Sequence, residues 1–326
     1  MERKRISELI SDFENKSVGA LARLITMVEN DQPAAVEALK KLYSKTGHSY
    51  IIGITGPPGS GKSTLTDKIT QTLTQRGNSV GIIAVDPSSP FHGGALLGDR
   101  LRMQKSIKDG TVFFRSMATR GAMGGLSKAT TGAILLIDAF GKDFILLETV
   151  GVGQDELDIV KTADSTILIS IPGMGDEIQT LKAGIMEIGD IYVVNKSDRE
   201  GAGRLVSELT LLKALSESNN SWNKPIIKTI AINNDGVDNL VDKILEHRKY
   251  LEGCKKLQNI RIKRIEKNVM NMIEWEIHKT LKALIKENDA NDEIIKKIFN
   301  REKNPYSYVE EIVEPFKAYC SNYIKK

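Results

Sequence analysis

A chain of 326 residues is long enough for one large domain with extensions, or for two domains. With 40% hydrophobic and 27% charged residues it reads as an ordinary soluble globular protein, and a net charge of +4 is too small an excess to point to nucleic acid. Cys254, Cys320, His48, His92, His247 and His278 are scattered, which argues against structural zinc; no run of 18 apolar residues spans a membrane and the charged N-terminus lacks the core of a signal peptide, so a cytoplasmic location is expected.

Residues 1–46 are polar, with apolar positions at helical spacing: Ile6, Leu9, Ile10 and Phe13, then Leu21, Leu24, Ile25 and Val28. Two or three short helices are expected there, and they need a partner surface because short helices are marginal alone. Over 47–250 the pattern changes. The runs SYIIGIT, SVGIIAVD, TVFFRS, DFILLET, STILISI, DIYVVNK and PIIKTIA alternate with helical segments. Near-continuous Val, Ile and Leu suits strands buried on both faces, so the spacing predicts an α/β domain with a doubly wound, mostly parallel sheet. Ligands then belong at the carboxyl ends of the strands.

The first run leads into Gly56, Pro57, Pro58, Gly59, Ser60, Gly61, Lys62, Ser63 and Thr64, which match G-x-x-x-x-G-K-[ST] in the required strand–loop–helix setting of a P-loop NTPase. Backbone N–H groups and the helix N-terminus are expected to cradle phosphates. Lys62 is expected to reach the β- and γ-phosphates and Ser63 to ligate Mg²⁺. Asp86 ends the second run and Asp99 follows 13 residues later; with Glu148 they are expected as Mg²⁺ ligands, direct or through water, while the competing reading of Asp99 is an acid favoured by a helix N-terminus.

Glu148 opens ETVGVGQ. Gly151 stands as a switch glycine, Val152 where Ras-like switches hold a water-orienting Gln, and Gln154 two residues on. Slow intrinsic hydrolysis, accelerated by a partner, is the expectation. Arg120 and Lys128, in RSMATRGAMGGLSKAT, are either phosphate-facing or plain surface charges. After the sixth run, Asn195-Lys196-Ser197-Asp198 has the pattern of a guanine selector. One carboxylate, Asp198, accepts from both N1–H and N2–H₂ of guanine, and adenine leaves it unpaired. Lys196 is expected to lie over the base, Asn195 to tie loops together, and Ala231 to supply the backbone contact usual in a Ser-Ala loop.

Beyond 251 no strand pattern returns. Ile262, Ile265, Val269, Met272, Ile273, Leu281 and Leu284 mark a long amphipathic helix, Asn291 or Asp292 caps another, and Pro305 starts a third with a break near Pro315. This arm, 251–326, is expected to pack within the chain or to make a homodimer, the second being preferred.

GPPGSGKST, VDPSSPFHGGALLGDRLRM, MATRGAMGGLSKAT, ETVGVGQDE, PGMGDEIQ and NKSD, in this order over about residues 50–200, resemble the MeaB/ArgK-type GTPases of the metallochaperone class. The resemblance implies hydrolysis of GTP to GDP, and a chaperone role for an adenosylcobalamin-dependent acyl-CoA mutase, chiefly methylmalonyl-CoA mutase. It implies that Asp86 and Asp99 belong to the first switch, Glu148 is the Walker-B-type acid, Gly151 is the switch glycine, and Pro172–Gln179 is a third switch facing the mutase. The Cys and His clusters of nickel- or zinc-handling members are missing. Two alternatives stand beside it: an ArgK-like kinase or ATPase linked to amino-acid transport, and a GTP-dependent scaffold of low turnover.

Overall fold

The structure is a computed structural model and describes residues 2–86, 110–118, 128–149, 161–173, 189–216, 222–287 and 291–324. Seven strands form one sheet: β1 Tyr50–Thr55, β2 Val80–Asp86, β3 Val112–Ala118, β4 Phe144–Thr149, β5 Ser165–Ser170, β6 Ile191–Asn195 and β7 Ile226–Thr229. Their order is β3-β2-β4-β1-β5-β6-β7, and every neighbouring pair is parallel. The seven apolar runs of the sequence are these seven strands. The chain steps outward from β1 in one direction to β2 and β3 and in the other to β5, β6 and β7, so the strand order reverses beside β1. The crevice of a doubly wound sheet opens at that reversal, beyond the carboxyl end of β1.

Side-chain alternation sorts the two faces. Ile51, Ile83, Val85, Phe113, Ile145 and Leu147 point to one side, where they meet α1 (Glu2–Glu14), α2 (Val18–Glu29), α3 (Pro33–Leu42) and α5 (Lys128–Ala139). Tyr50, Ile52, Ile54, Ile82, Leu146 and Ile167 point to the other, against α4 (Lys62–Gln75) and α7 (Val237–Gly253). A third cluster packs Leu168, Tyr192 and Val194 on α6 (Ala202–Ser216).

The N-terminal helices have the partner surface they need. α2 starts where Ser17 Oγ accepts from the Ala20 N–H at 3.3 Å, and its stripe Ala20, Leu21, Leu24 and Ile25 is buried. Phe13 meets Phe140, just past α5, edge to face at 5.2 Å.

The chain divides into two compact units, Met1–Asn268 and Val269–Lys326, and the boundary falls inside α8 (Lys256–Glu287). The second unit holds the end of α8 with α9 (Asn291–Phe299) and α10 (Pro305–Ile324). α10 runs through Pro315, which corrects the expected break. Pro315 lacks an N–H, so the helix forgoes the single bond to the Glu311 carbonyl while the turns on either side keep theirs.

Candidate functional site

The P-loop leaves β1 at Thr55 and closes on α4 at Lys62. Gly61 is the N-cap of α4 with φ +90°, a left-handed turn that an L side chain resists. A Cβ there would also lie 2.5 Å from Asn195 Nδ2. The turn therefore needs glycine twice over, for its dihedral and for the close approach of β6. It leaves the first N–H groups of α4 directed past the end of the sheet, where an anion is stabilised by the helix dipole.

Lys62 is 6% exposed, and its Nζ donates to the carbonyls of Gly56 at 2.8 Å and Pro57 at 3.0 Å. Ser63 Oγ donates to Glu148 Oε1 at 2.5 Å, across from the end of β4. Glu148 is 7% exposed. Ser60 is buried and its Oγ has no hydrogen-bond partner among the described residues. Pro58 and Gly59 are exposed at the loop tip, and Thr64 is half-buried on the first turn of α4. Next to Glu148, Thr149 Oγ1 donates to Thr55 Oγ1 at 3.3 Å, which ties the end of β4 to the strand that carries the P-loop. Hydroxyl and carboxylate oxygens of this kind suit a small, hard cation that keeps waters and shares phosphate oxygens, so Ser63 and Glu148 fit Mg²⁺. Among the described residues no group of three or more His, Cys, Asp or Glu side chains could hold a metal ion by itself.

The second half of the site comes from the ends of β6 and β7. Asn195 is 2% exposed and bridges three loops. Its Nδ2 donates to the Ser60 carbonyl at 2.8 Å, while its Oδ1 accepts from Thr229 Oγ1 at 3.0 Å and from the Ala231 N–H at 3.2 Å. Lys196, at φ +54°, reaches back so that Nζ donates to the Gly59 carbonyl at 2.7 Å, which lays its alkyl stem along the rim. Asp198 is exposed two residues on. The structure thus brings together Gly56 to Thr64, Glu148, Asn195, Lys196, Asp198 and Ala231 at the carboxyl edge of one sheet. Asp86 ends β2 at the same edge, while Asp99, Gly151 and Arg120 lie outside the described residues, as does most of Pro172–Gln179. Lys128 is an ion-pair partner of Asp31 at 2.9 Å, at the N-terminal helices.

A family model described as "Methylmalonyl Co-A mutase-associated GTPase MeaB" matches residues 21–286. The chain belongs to the MeaB family of GTPases. This MeaB-family protein is 51% identical over 312 residues to a protein of Pyrococcus horikoshii named as a GTPase, covering 95% of this chain and 98% of that one. It is 31% identical over 264 residues to the GTPase ArgK of Escherichia coli, covering 78% and 80%. The crystal structure of an LAO/AO transport system kinase superposes with a TM-score of 0.70 over 96% of this chain and 97% of that one, at 24% identity, and shares the P-loop NTPase α/β fold. The protein is accordingly a GTPase. No helix among its described residues is long and apolar enough to cross a membrane.

Two polar groups of this MeaB-family GTPase escape a reading of its sequence. Asp164, fully buried, pairs with Arg261 at 3.0 Å and Arg264 at 3.1 Å and accepts from the Ile51 N–H at 2.9 Å. Ser165, Tyr50 and His247 form a buried hydrogen-bonded chain at the amino edge of the sheet. The one signal for the second is the 3–4 spacing Val237, Leu240, Val241, Ile244, His247 and Leu251, which puts a histidine in an otherwise apolar buried stripe.

Proposed function

We propose that this MeaB-family GTPase is a Mg²⁺-dependent chaperone of an adenosylcobalamin-dependent acyl-CoA mutase, methylmalonyl-CoA mutase in the first instance, and that its nucleotide state gates cofactor loading, protection and reactivation. The match over residues 21–286 to a family described as mutase-associated carries the partner reading. The bridge that Asn195 makes between the P-loop and the Ala231 turn supports a guanine nucleotide held across both.

In this reading Gly56 to Thr64 cradle the phosphates and Lys62 exchanges two loop carbonyls for β- and γ-phosphate oxygens. Ser63 and Glu148, with Asp86 and Asp99, would hold Mg²⁺, directly or through water. Mg²⁺ there would neutralise charge developing on the phosphate oxygens. Asp198 selects guanine, Lys196 covers one face of the base, and Gly151 lets the switch segment approach the γ-phosphate. Water attacks the γ-phosphorus in line, the bond from that phosphorus to the β–γ bridging oxygen breaks, and GDP leaves with phosphate as the second product. Val152 offers no amide to orient that water, so the free protein turns over slowly and a mutase that orders the segment speeds it.

The helical arm 251–326 is proposed to make the protein a homodimer. Val269, Met272, Ile273 and Ile277, each 46–52% exposed on α8, form an apolar stripe that a second copy would cover. Sedimentation of the full chain as a monomer at micromolar concentration would count against it.

The deciding experiment mixes the protein with a purified mutase and adenosylcobalamin. Cofactor transfer that depends on GTP, together with GTP turnover raised by the mutase, is expected. Loading that ignores the nucleotide sinks the chaperone reading. Labelled γ-phosphate appearing on protein rather than in water would favour a kinase instead.

A further inference from the structure

At the amino edge of the sheet, opposite the nucleotide crevice, lies a polar chain that the hydrolytic site does not use. Tyr50 and Ser165, the first residues of β1 and β5, are both fully buried, and the Tyr50 hydroxyl is 2.6 Å from Ser165 Oγ. Ser165 Oγ is 2.6 Å from His247 Nδ1, and His247, on the buried side of α7, is 2% exposed. The other ring nitrogen, Nε2, lies 3.8 Å from Asp190 Oδ1, just before β6. Trp222 and Tyr250 close over the ring, at 4.8 and 6.2 Å between centroids. The other charges that face this group are Lys224 before β7, Lys256 at the start of α8, Asp164 just before β5 and the Arg248 guanidinium over the Tyr50 ring.

We infer that His247 is a positioning residue for the guanine site: the hydrogen bond it accepts from Ser165 fixes the register of α7 on the sheet, and α7 in turn holds the Ala231 turn against Asn195. The inference rests on the guanine-site reading above. Three observations carry it. First, the other buried contacts of α7 are Val237, Leu240, Val241, Ile244 and Leu251, and an apolar stripe tolerates sliding, whereas a directional polar contact selects a register; on the exposed side of the helix Arg76 adds ion pairs to Asp238 and Asp242 at 3.7 and 2.6 Å. Second, the turn at the other end of α7 cannot absorb a slide. Gly236, its N-cap, sits at φ +74°, and a Cβ there would lie 2.1 Å from the Lys228 carbonyl. Ile230 and Asp235 bridge across the same turn, so motion of α7 passes to Ala231, whose N–H reaches Asn195 Oδ1 at 3.2 Å. Third, the chain joins at one point β1, β5, β6 and α7, and three of these run to the P-loop, to Asn195 and from the Ala231 turn.

The direction of the chain follows from its ends. With the ring proton on Nε2, the nitrogen 3.8 Å from the Asp190 carboxylate, Nδ1 accepts from Ser165 and Ser165 accepts from Tyr50. Burial holds the imidazole neutral, pushing its pKa down to about 4, with Lys224 and Lys256 adding to the effect. An acceptor at the place of Nδ1 is therefore what α7 requires, and the Oδ1 of an asparagine supplies one there without titrating.

The test uses the full chain, a fluorescent GDP analogue and GTP turnover at 25 °C and pH 7.5, with circular dichroism to establish folding. His247→Leu is expected to weaken GDP binding about tenfold, a loss of the size one buried hydrogen bond carries, with kcat at saturating GTP within about twofold of wild type. His247→Asn is expected to restore affinity to within about twofold, and Ser165→Ala to behave like His247→Leu, which keeps the question open to refutation should the leucine variant not fold. Wild-type GDP affinity in a folded His247→Leu or Ser165→Ala protein overturns the inference. So does an asparagine variant as weak as the leucine one, because bulk rather than acceptance would then matter. A wild-type chain that binds GDP and ADP alike refutes the guanine reading itself, in a separate arm of the same measurement.

Discussion

At the scale of single residues, specificity and reaction fall, in the proposed reading, to different edges of one loop cluster. Lys62, Ser63 and Glu148 face the phosphate side through 2.5–3.0 Å contacts, while Asn195 is spent on structure, its Nδ2 and Oδ1 joining Ser60, Thr229 and Ala231. Asp198 is exposed and makes no such joining contact among the described residues, so in the proposed reading base choice can be altered without collapse of the loops. Asp198→Asn turns one accepting carboxylate into an amide that offers a donor where guanine also offers one. Xanthine, with a carbonyl at C2, matches the amide. The expected outcome is a GTP affinity lower by a factor of at least about a hundred, the scale of a lost charge-assisted pair, and a gain in XTP binding. Competition between the two nucleotides for the purified variant measures it; retained GTP preference would remove Asp198 from the site.

Elements are joined by contacts that look back along the chain, and these separate what a sequence shows from what it hides. The seven strands were readable because each is buried on both faces and so is apolar throughout, and the phosphate and guanine motifs because their residues are contiguous. Asp164 pairs with arginines about a hundred positions away, and Ser165 with a histidine 82 positions away, so no local pattern announces either. The same reasoning explains Lys128. Its sequence neighbours left it either phosphate-facing or a plain surface charge, and it pairs with Asp31, 97 residues earlier. Arg261 and Arg264 anchor the start of α8 by gripping Asp164 and the carbonyls of Gly47, Ser49 and Thr162. Asp164→Ala would leave both guanidinium groups without their carboxylate and the Ile51 N–H without its acceptor. With one arginine 22% and the other 13% exposed, the expected cost is about 3 kcal/mol, near the lower end for a broken buried pair. Chemical denaturation reads it, and a change under about 1 kcal/mol would show that the clamp is idle.

For the whole molecule buried His247 and half-buried Asp190 make stability depend on pH, with opposed signs. His247 titrates near 4 in the folded protein, below the usual histidine value, because burial disfavours the imidazolium. Its contribution is therefore complete above about pH 6.5 and is lost as pH falls toward 4. Asp190 is pushed up to about 6, again by burial first, so its carboxyl favours the folded state at low pH and that contribution disappears as pH rises through 6. A third of the Asp190 side chain remains exposed, against 3% for His247, so water damps the acid's share and the histidine sets the net slope. Between pH 7.5 and 5.5 the wild-type protein should lose about 1 kcal/mol of unfolding free energy through this histidine. His247→Asn keeps the acceptor for Ser165 but cannot bind a proton, so its loss over the same interval should be smaller by that amount, or reversed as Asp190 takes control. Urea titrations of the two proteins at the two pH values decide the matter: parallel lines would mean that the imidazole is already protonated, or already solvated, in the native state. The same variant serves the nucleotide measurement, so one substitution asks whether the amino edge of the sheet and the crevice at its carboxyl edge are mechanically one object. An asparagine that flattens the pH slope and preserves GDP affinity is the combination expected if the buried side of α7 is held by hydrogen-bond acceptance at position 247 and not by the charge of the imidazole.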